Sequence, residues 1–264
     1  MVRVGLSVAL LALAITSAPA QTPLQPAAPD PKLVAHLQAW EKAMKEVEKF
    51  AAEATLVKQD LITRRESKFT GTIWCMKGGL ARLNISKAVA KDEKPNPADT
   101  MEYICNGDYL YEYDYGAKVV TMVNLGKGGT GNNLLLDLMS GMTATAALQR
   151  FDLTLLKVDK LYVYIEAKPK TAADKAEYET ITLVLCNADV KGRGYMPRQV
   201  ILRKANGQQT ESWDFPDPKV NPEGIEKKHF EPAKPPEGWR ILKAEAPKAT
   251  PVGNSGKLPI PGGK

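Results

Sequence analysis

Residues 101–114 read MEYICNGDYLYEYD. Met101 to Cys105 and Tyr109 to Asp114 alternate side chains with a period of two, the signature of a strand with two unlike faces. Asn106-Gly107-Asp108 between them is turn chemistry of the kind that joins antiparallel neighbours. The stretch is therefore a hairpin, and the same texture continues on both sides. Upstream lie 53–63 (EATLVKQDLIT), 67–76 (SKFTGTIWCM) and 80–86 (LARLNIS); downstream, past Tyr115-Gly116-Ala117, lies 119–124 (VVTMVN). Six strands with short connections predict a meander, interrupted only by the loop 88–99, which carries Pro95 and Pro97.

Ahead of the strands, Asp30-Pro31 offers an N-cap followed by proline at the first helical position. Leu33, Leu37, Trp40, Met44 and Val47 then recur at spacings of four and three, with Lys42, Lys45, Glu46 and Lys49 on the other side. That is one amphipathic helix, whose apolar stripe needs a partner surface that a sheet supplies. After the meander, 132–141 (NNLLLDLMSG) and 143–151 (TATAALQRF) read as one or two short helices. Strand patterns resume in 151–157, 161–168, 178–187, 197–204 and 210–215, with Asn206-Gly207 a hairpin turn before the last, giving about eleven strands. Two of these, LYVYIEAK and YETITLVLCN, carry apolar residues on both faces, as in a curved sheet wrapped around apolar material or a sheet whose outer face is covered by loops.

The 264 residues, 44% hydrophobic, suffice for one domain with a sizeable core, and the net charge of +6 is spread among alternating acids and bases. The surface reads as solvated and mixed, with weak attraction to anionic headgroups as the sharper alternative. The first twenty residues have the layout of a secretory signal: Arg3, an apolar stretch from Val4 to Ile15, then small residues at Ala18 and Ala20. About a dozen apolar residues fall short of the roughly 20 that cross a bilayer, so cleavage after Ala20 is expected, leaving an exported, periplasmic protein. No cysteine near the junction offers a lipid anchor. Residues 21–29 form a Pro/Ala-rich leader, 30–242 the folded domain, and 243–264 a Pro/Gly/Lys-rich tail with the composition of disorder.

Three cysteines in an exported chain leave at least one unpaired. Cys75, Cys105 and Cys186 lie in strand-like runs and read as small buried core residues, with a Cys75–Cys105 disulfide as the alternative. The glycine-rich stretch 126–131 (GKGGTG), with Asp152 about twenty residues on, matches the spacing of a dinucleotide loop. Its neighbours are hairpin strands instead of a parallel βαβ unit, so it reads as a hinge-like loop. His36 and His229 are the only histidines, without convincing partners, and no GxSxG or HExxH pattern is present, so no catalytic residue, metal or cofactor is expected. Glu112 and Asp114 share a strand face as many solvated carboxylates do. Tyr109, Tyr111, Tyr113 and Tyr115 form a one-sided ladder, read as cross-strand packing, with stacking on bases or acyl chains as the alternative.

The order of elements resembles the outer-membrane lipoprotein carrier family, LolA with its LolB and RseB-like relatives. The resemblance spans most of residues 30–240. It rests on the opening helix AHLQAWEKAMKEVEKFAAEATLVKQ (35–59), the MKGGLARLNIS run (76–86), the hairpin from Asn106 to Asp114, the lid-like NNLLLDLMSG, and the closing His229-Phe230-Glu231-Pro232 through Pro235-Pro236-Glu237-Gly238. It implies a mainly β fold with α elements: a curved antiparallel half-barrel covered by an N-terminal helix and a short helical lid, as a divergent LolA-like subgroup. It also implies a non-catalytic carrier for lipid or lipoprotein acyl chains, with membrane-associated donor or acceptor proteins as possible partners and no nucleic acid. Expected cavity residues are Trp40, Met44, Trp74, Leu83, Leu110, Leu135, Leu138 and Met139, although core packing alone selects the same residue types. Carriers place an arginine at the end of the second strand that helps hold the lid closed; here Lys77 matches a basic position and Gly78 follows it. From another class, an envelope sensor or scaffold would bind a protein partner through the sheet face or the tail.

Overall fold

The computed structural model describes residues 29–90, 93–94, 96–125 and 134–245. The expected signal, residues 21–28 of the leader, the stretch 126–131 and the tail beyond 245 lie outside the described residues. Helix α1 (Pro31–Lys45) begins as its sequence dictates: the Asp30 carboxylate accepts a hydrogen bond from the Lys32 amide at 2.8 Å, and Pro31 needs no donor there. Lys42 and Lys45 complement the negative end of the helix. Leu33, Leu37, Trp40 and Met44 are buried, and each contributes about 2 kcal/mol of transfer free energy as an upper estimate.

Six strands follow in a meander: β1 (Lys49–Asp60), β2 (Glu66–Met76), β3 (Leu80–Lys87), β4 (Thr100–Asn106), β5 (Tyr109–Asp114) and β6 (Val119–Asn124). Gly107, in the β4–β5 turn, has φ 95°, which only glycine adopts without strain. Helices α2 (Leu134–Ser140) and α3 (Ala144–Arg150) lead into β7 (Phe151–Val158), β8 (Tyr162–Pro169), α4 (Ala172–Glu177), β9 (Tyr178–Cys186), β10 (Pro197–Lys204) and β11 (Gln209–Asp214). Two strands lie beyond the eleven expected: the short β12 (Lys219–Val220), and β13 (Arg240–Glu245), which crosses the boundary drawn at residue 242. All thirteen belong to one open, curved sheet in the order β13-β6-β5-β4-β3-β2-β1-β11-β10-β9-β8-β7, with β12 paired to β1. Every pairing among the described residues is antiparallel except that of β13, which runs parallel to β6 and leaves Ile241 and Leu242 half exposed.

One face of the sheet, here the inner face, carries the helices. Phe50, Ala52, Ala54 and Leu56 of β1, Ile73 and Cys75 of β2, Leu83 and Ile85 of β3, and Val163, Ile165, Ile181, Leu183 and Val200 of the second meander join the α1 stripe in one core. The outer face of β2–β5 is covered by the chain itself. Within residues 225–239, Ile225 and Phe230 are buried, Trp74 meets the edge of His229, and Trp239 packs against Tyr113 and Tyr115. Covering by a loop is thus how apolar residues on both faces are satisfied in this half of the sheet.

At Gly71 the strands β2 and β3 approach too closely for any side chain: an added Cβ would lie 1.9 Å from the Asn84 carbonyl oxygen. Gly71→Ala is expected to lose at least about 2 kcal/mol, while Thr72→Ala, at the neighbouring exposed position, shifts stability by less than about 0.5 kcal/mol. Urea unfolding of both variants checks this, and equal midpoints would contradict it.

Candidate functional site

A cleft of about 320 Å³ opens where the C-terminal end of α1, the β2–β3 turn and the α2–α3 loop converge. Its apolar wall is Met44, Val47, Phe50, Cys75, Leu80, Ala81, Met139 and Met142. The volume lies at the lower bound of small-molecule sites, about 300–1,000 Å³. Gly141 (φ 83°) closes one side: an added Cβ there would sit 2.5 Å from Met44 Cβ, so the loop rests directly on the helix.

Two ion pairs ring the mouth. Lys45 donates to Glu41 at 2.7 Å, and Lys77 to Glu48 at 2.5 Å. Glu41 has a second task, accepting the Ala144 amide at 2.9 Å and so tying the start of α3 to α1. Its carboxyl is held below the usual range, first by Lys45 and then by that amide. Glu48 is positioned by its backbone, whose amide donates to the Asn221 side chain at 2.8 Å. Gly78 stands in open space next to Lys77. A second void of about 20 Å³, room for about one water, lies deeper, among Leu37, Trp40, Leu134, Leu138 and Phe151. The indole N–H of Trp40, which lines it, is buried without a hydrogen-bond partner among the described residues.

The eight expected lining residues divide among these places. Met44 and Met139 line the cleft, Trp40 and Leu138 the deeper void. Leu83 and Leu110 are buried in the inner core, and Leu135 packs against it. Trp74 stands on the outer face: its neighbours Ile73 and Cys75 point inward, and its ring meets His229 at 5.6 Å.

The ionisable groups singled out in the sequence are structural in their contacts. His36 Nδ1 lies 3.1 Å from the Tyr195 hydroxyl, and His229 Nδ1 accepts the Glu226 amide. Cys75, Cys105 and Cys186 are free and buried. Ala81 pairs with both Cys75 and Cys105, so the two Cα atoms sit two strand spacings apart, about 9.5 Å, beyond disulfide reach. Burial, with Cys105 adding, pushes the Cys75 thiol up to about 12. Among the described residues no group of three His, Cys, Asp or Glu side chains is placed to hold a metal. Tyr113 of the tyrosine ladder is buried with Ile104 and Val120, its hydroxyl donating to the Ala233 carbonyl at 3.1 Å. Burial also raises Glu112, which faces inward beside Tyr103.

One feature had no sequence signal. Arg150, ending α3, donates from Nε and Nη2 to both oxygens of Asp174 in α4 at 2.8 and 2.7 Å, and from Nη1 to Asp137 in α2 at 2.5 Å. The Thr171 hydroxyl also donates to Asp174 at 2.7 Å. This fork fixes the helical cover to the connection between β8 and β9. Only contact across 24 residues of chain reveals it; locally, Arg150 reads as a C-terminal helix charge.

No protein-family profile and no curated protein sequence matches the chain. Solved structures do align with most of its length. An uncharacterized conserved protein from Thermus thermophilus aligns over 80% of this chain and 99% of its own, at 9% identity and a TM-score of 0.47. A LolA superfamily protein from Nitrosomonas europaea aligns over 74% and 97%, at 11% identity and a TM-score of 0.39. LprF from Mycobacterium bovis aligns over 81% and 100%, at 12% identity and a TM-score of 0.38. A LolA superfamily protein is thus among the solved structures that align with this chain.

Burial alone pushes the Asp174 carboxyl up, but Arg150 and Thr171 outweigh it and hold the group below its ordinary value. A depressed carboxyl stabilises the fold above its unfolded pKa of about 3.9, and that contribution is lost as pH falls through the lower folded value. Arg150→Ala is expected to cost about 3 kcal/mol by leaving Asp174 buried and unpaired. Asp174→Asn lowers stability at neutral pH and flattens its acid dependence below about pH 4. Denaturation followed from pH 2 to 7 checks both.

Proposed function

We propose that this protein binds acyl chains in the cleft beneath its helical cover and carries them through an aqueous envelope compartment without a chemical step. The observation that carries the reading is the cleft itself, an apolar wall of Met44, Phe50, Leu80, Met139 and Met142 open at one end and ringed by charge. Burying acyl chain is worth about 0.8 kcal/mol per CH₂, so such a wall holds lipid with no catalytic group. Four of the lining residues, Met44, Met76, Met139 and Met142, are methionines, whose unbranched thioethers adapt to irregular apolar ligands. Export is supported by the N-terminal pattern of Arg3, the Val4 to Ile15 stretch and Ala18-Pro19-Ala20. Among the described residues no helix is long and apolar enough to cross a membrane.

The second reading, a sensor or scaffold that binds a protein partner through the sheet or tail, is favoured at one place. Strand β13 lies at a sheet edge with Ile241 57% and Leu242 49% exposed, and an edge of that kind is a template for a partner strand.

Native purification followed by mass spectrometry is expected to find co-purifying lipid, and an apolar fluorescent dye is expected to bind and to be displaced by lipid. Met142→Trp, filling the mouth, should weaken dye uptake several-fold with an unchanged far-ultraviolet circular dichroism spectrum. A protein with neither bound lipid nor dye uptake overturns the reading.

A further inference from the structure

The end of the sheet opposite the cleft carries the most exposed large aliphatic side chain among the described residues. Ile62 is 66% exposed at the tip of the β1–β2 hairpin, with Leu61 beside it at 39%. Single exposed aliphatics are ordinary on a protein surface. What sets this pair apart is rigidity, charge and position.

The tip is held from both flanks. The Asp60 carboxylate accepts the Ile62 and Thr63 amides at 2.9 and 2.8 Å, and the Asp60 amide donates to the Arg65 carbonyl at 2.9 Å. The Leu61 amide donates to the Gln208 carbonyl of the neighbouring β10–β11 turn at 2.7 Å. Ile62 is therefore presented to a partner with little ordering left to do on contact.

The charge around it is positive. Arg64 and Arg65 lie in the turn, Lys68 follows near the start of β2, and Lys87 ends β3 opposite Phe69. All four are exposed, and none forms an ion pair among the described residues. Nearby carboxylates are engaged instead: Asp60 in the turn, Glu179 with Arg203 at 2.9 Å, and Glu211 with Lys58 and Lys204. Glu66 is the exposed exception, and the adjoining residues Ala205 to Gln208 add no charge. The cleft lies at the far end of β2, 11 residues away, or about 35 Å. A surface that takes the tip leaves the cleft mouth uncovered.

A rigid aliphatic tip set among unneutralised cations matches an anionic bilayer, whose headgroups take the cations while the acyl boundary takes the aliphatics. A second copy of the chain, tip to tip, would bring like charges together. We propose that the β1–β2 hairpin tip docks this protein on an anionic lipid bilayer, with Ile62 and Leu61 at the headgroup boundary and the four cations on the surrounding phosphates. This goes beyond the acyl-binding reading and does not depend on it.

Cys75, Cys105 and Cys186 are buried, so in the folded full chain a cysteine introduced by Ile62→Cys is the one that takes an environment-sensitive fluorophore. Its emission is expected to shift to the blue with vesicles of phosphatidylglycerol and phosphatidylcholine in equal parts. Phosphatidylcholine vesicles alone, or the same label on Thr72→Cys midway along β2, should give no shift. The apolar stretch from Val4 to Ile15 is common to every variant, so the label at the tip decides and total vesicle binding does not. Adding Arg64→Gln and Arg65→Gln should weaken the vesicle affinity read from the shift roughly twenty-fivefold, about fivefold per charge. No shift with the mixed vesicles, an equal shift with phosphatidylcholine alone, or an affinity unchanged by the two Gln substitutions overturns the inference. Uptake of the apolar dye by the cleft, measured on the same variants, should stay unchanged, so failure here is distinguishable from failure of the acyl-binding reading.

Discussion

Six backbone-paired positions, Thr55 to Asp60 of β1 against Asp214 to Gln209 of β11, join two meanders that are otherwise separate. The first half of the sheet is β1 to β6 and the second β7 to β11, and among the described residues no other ladder links them apart from the short β12 on β1. A ladder of that length is a weak seam for a sheet of thirteen strands, and the inner core reinforces it. Leu56 and Trp213, paired across the seam, share one core with the α1 stripe and with inner-facing residues of both halves. Helix α1 therefore does more than cover apolar surface. By burying both halves at once it makes the curvature of the sheet cooperative, and the cleft at its C-terminal end exists only while that arrangement holds.

The polar interactions fall into two groups with different consequences. Arg150 with Asp137 and Asp174 is largely withdrawn from water, its side chains 10–17% exposed, so breaking it leaves an uncompensated charge inside the protein. Lys77 with Glu48 is half in water and contributes little stability, typically below about 1 kcal/mol. The first kind fixes where the cover sits; the second can be opened by a ligand at small cost. On the outer face, Arg82 donates to Glu102 at 2.7 Å and to the His229 carbonyl at 3.1 Å, tying residues 225–239 down and keeping the buried Glu102 paired.

Much of the sheet was legible because its signals are local. Each hairpin of the first meander declares itself through alternation and a turn such as Asn106-Gly107-Asp108, and the observed strands match those runs to within a few residues. What escaped depends on distant partners. β13 is a strand only because β6 is beside it, β12 because β1 is, and the Lys/Pro-rich sequence around them carries no alternation. Trp74 shows the limit at the site. Ile73, Trp74, Cys75 and Met76 are apolar at both parities, so the run does not say which parity faces the helix, and a choice by residue size selects the tryptophan. The acidic part of the cleft rim escaped for a related reason: Glu41 and Glu48 look like solvated charges until the helix end and the β2–β3 turn meet, whereas Lys77 stood out only through the family resemblance.

The parallel strand β13 has a consequence for how the molecule comes into being. The edge of β6 stays open until residues 240–245 arrive, more than a hundred positions after β6 itself, and such a distant pairing forms slowly. During that interval an unpaired strand edge is offered to any other chain nearby. A molecule crossing a membrane unfolded would emerge with that edge bare and close it last. Chaperone dependence and the yield of folded protein should therefore respond to changes in β13 more than its few buried atoms suggest.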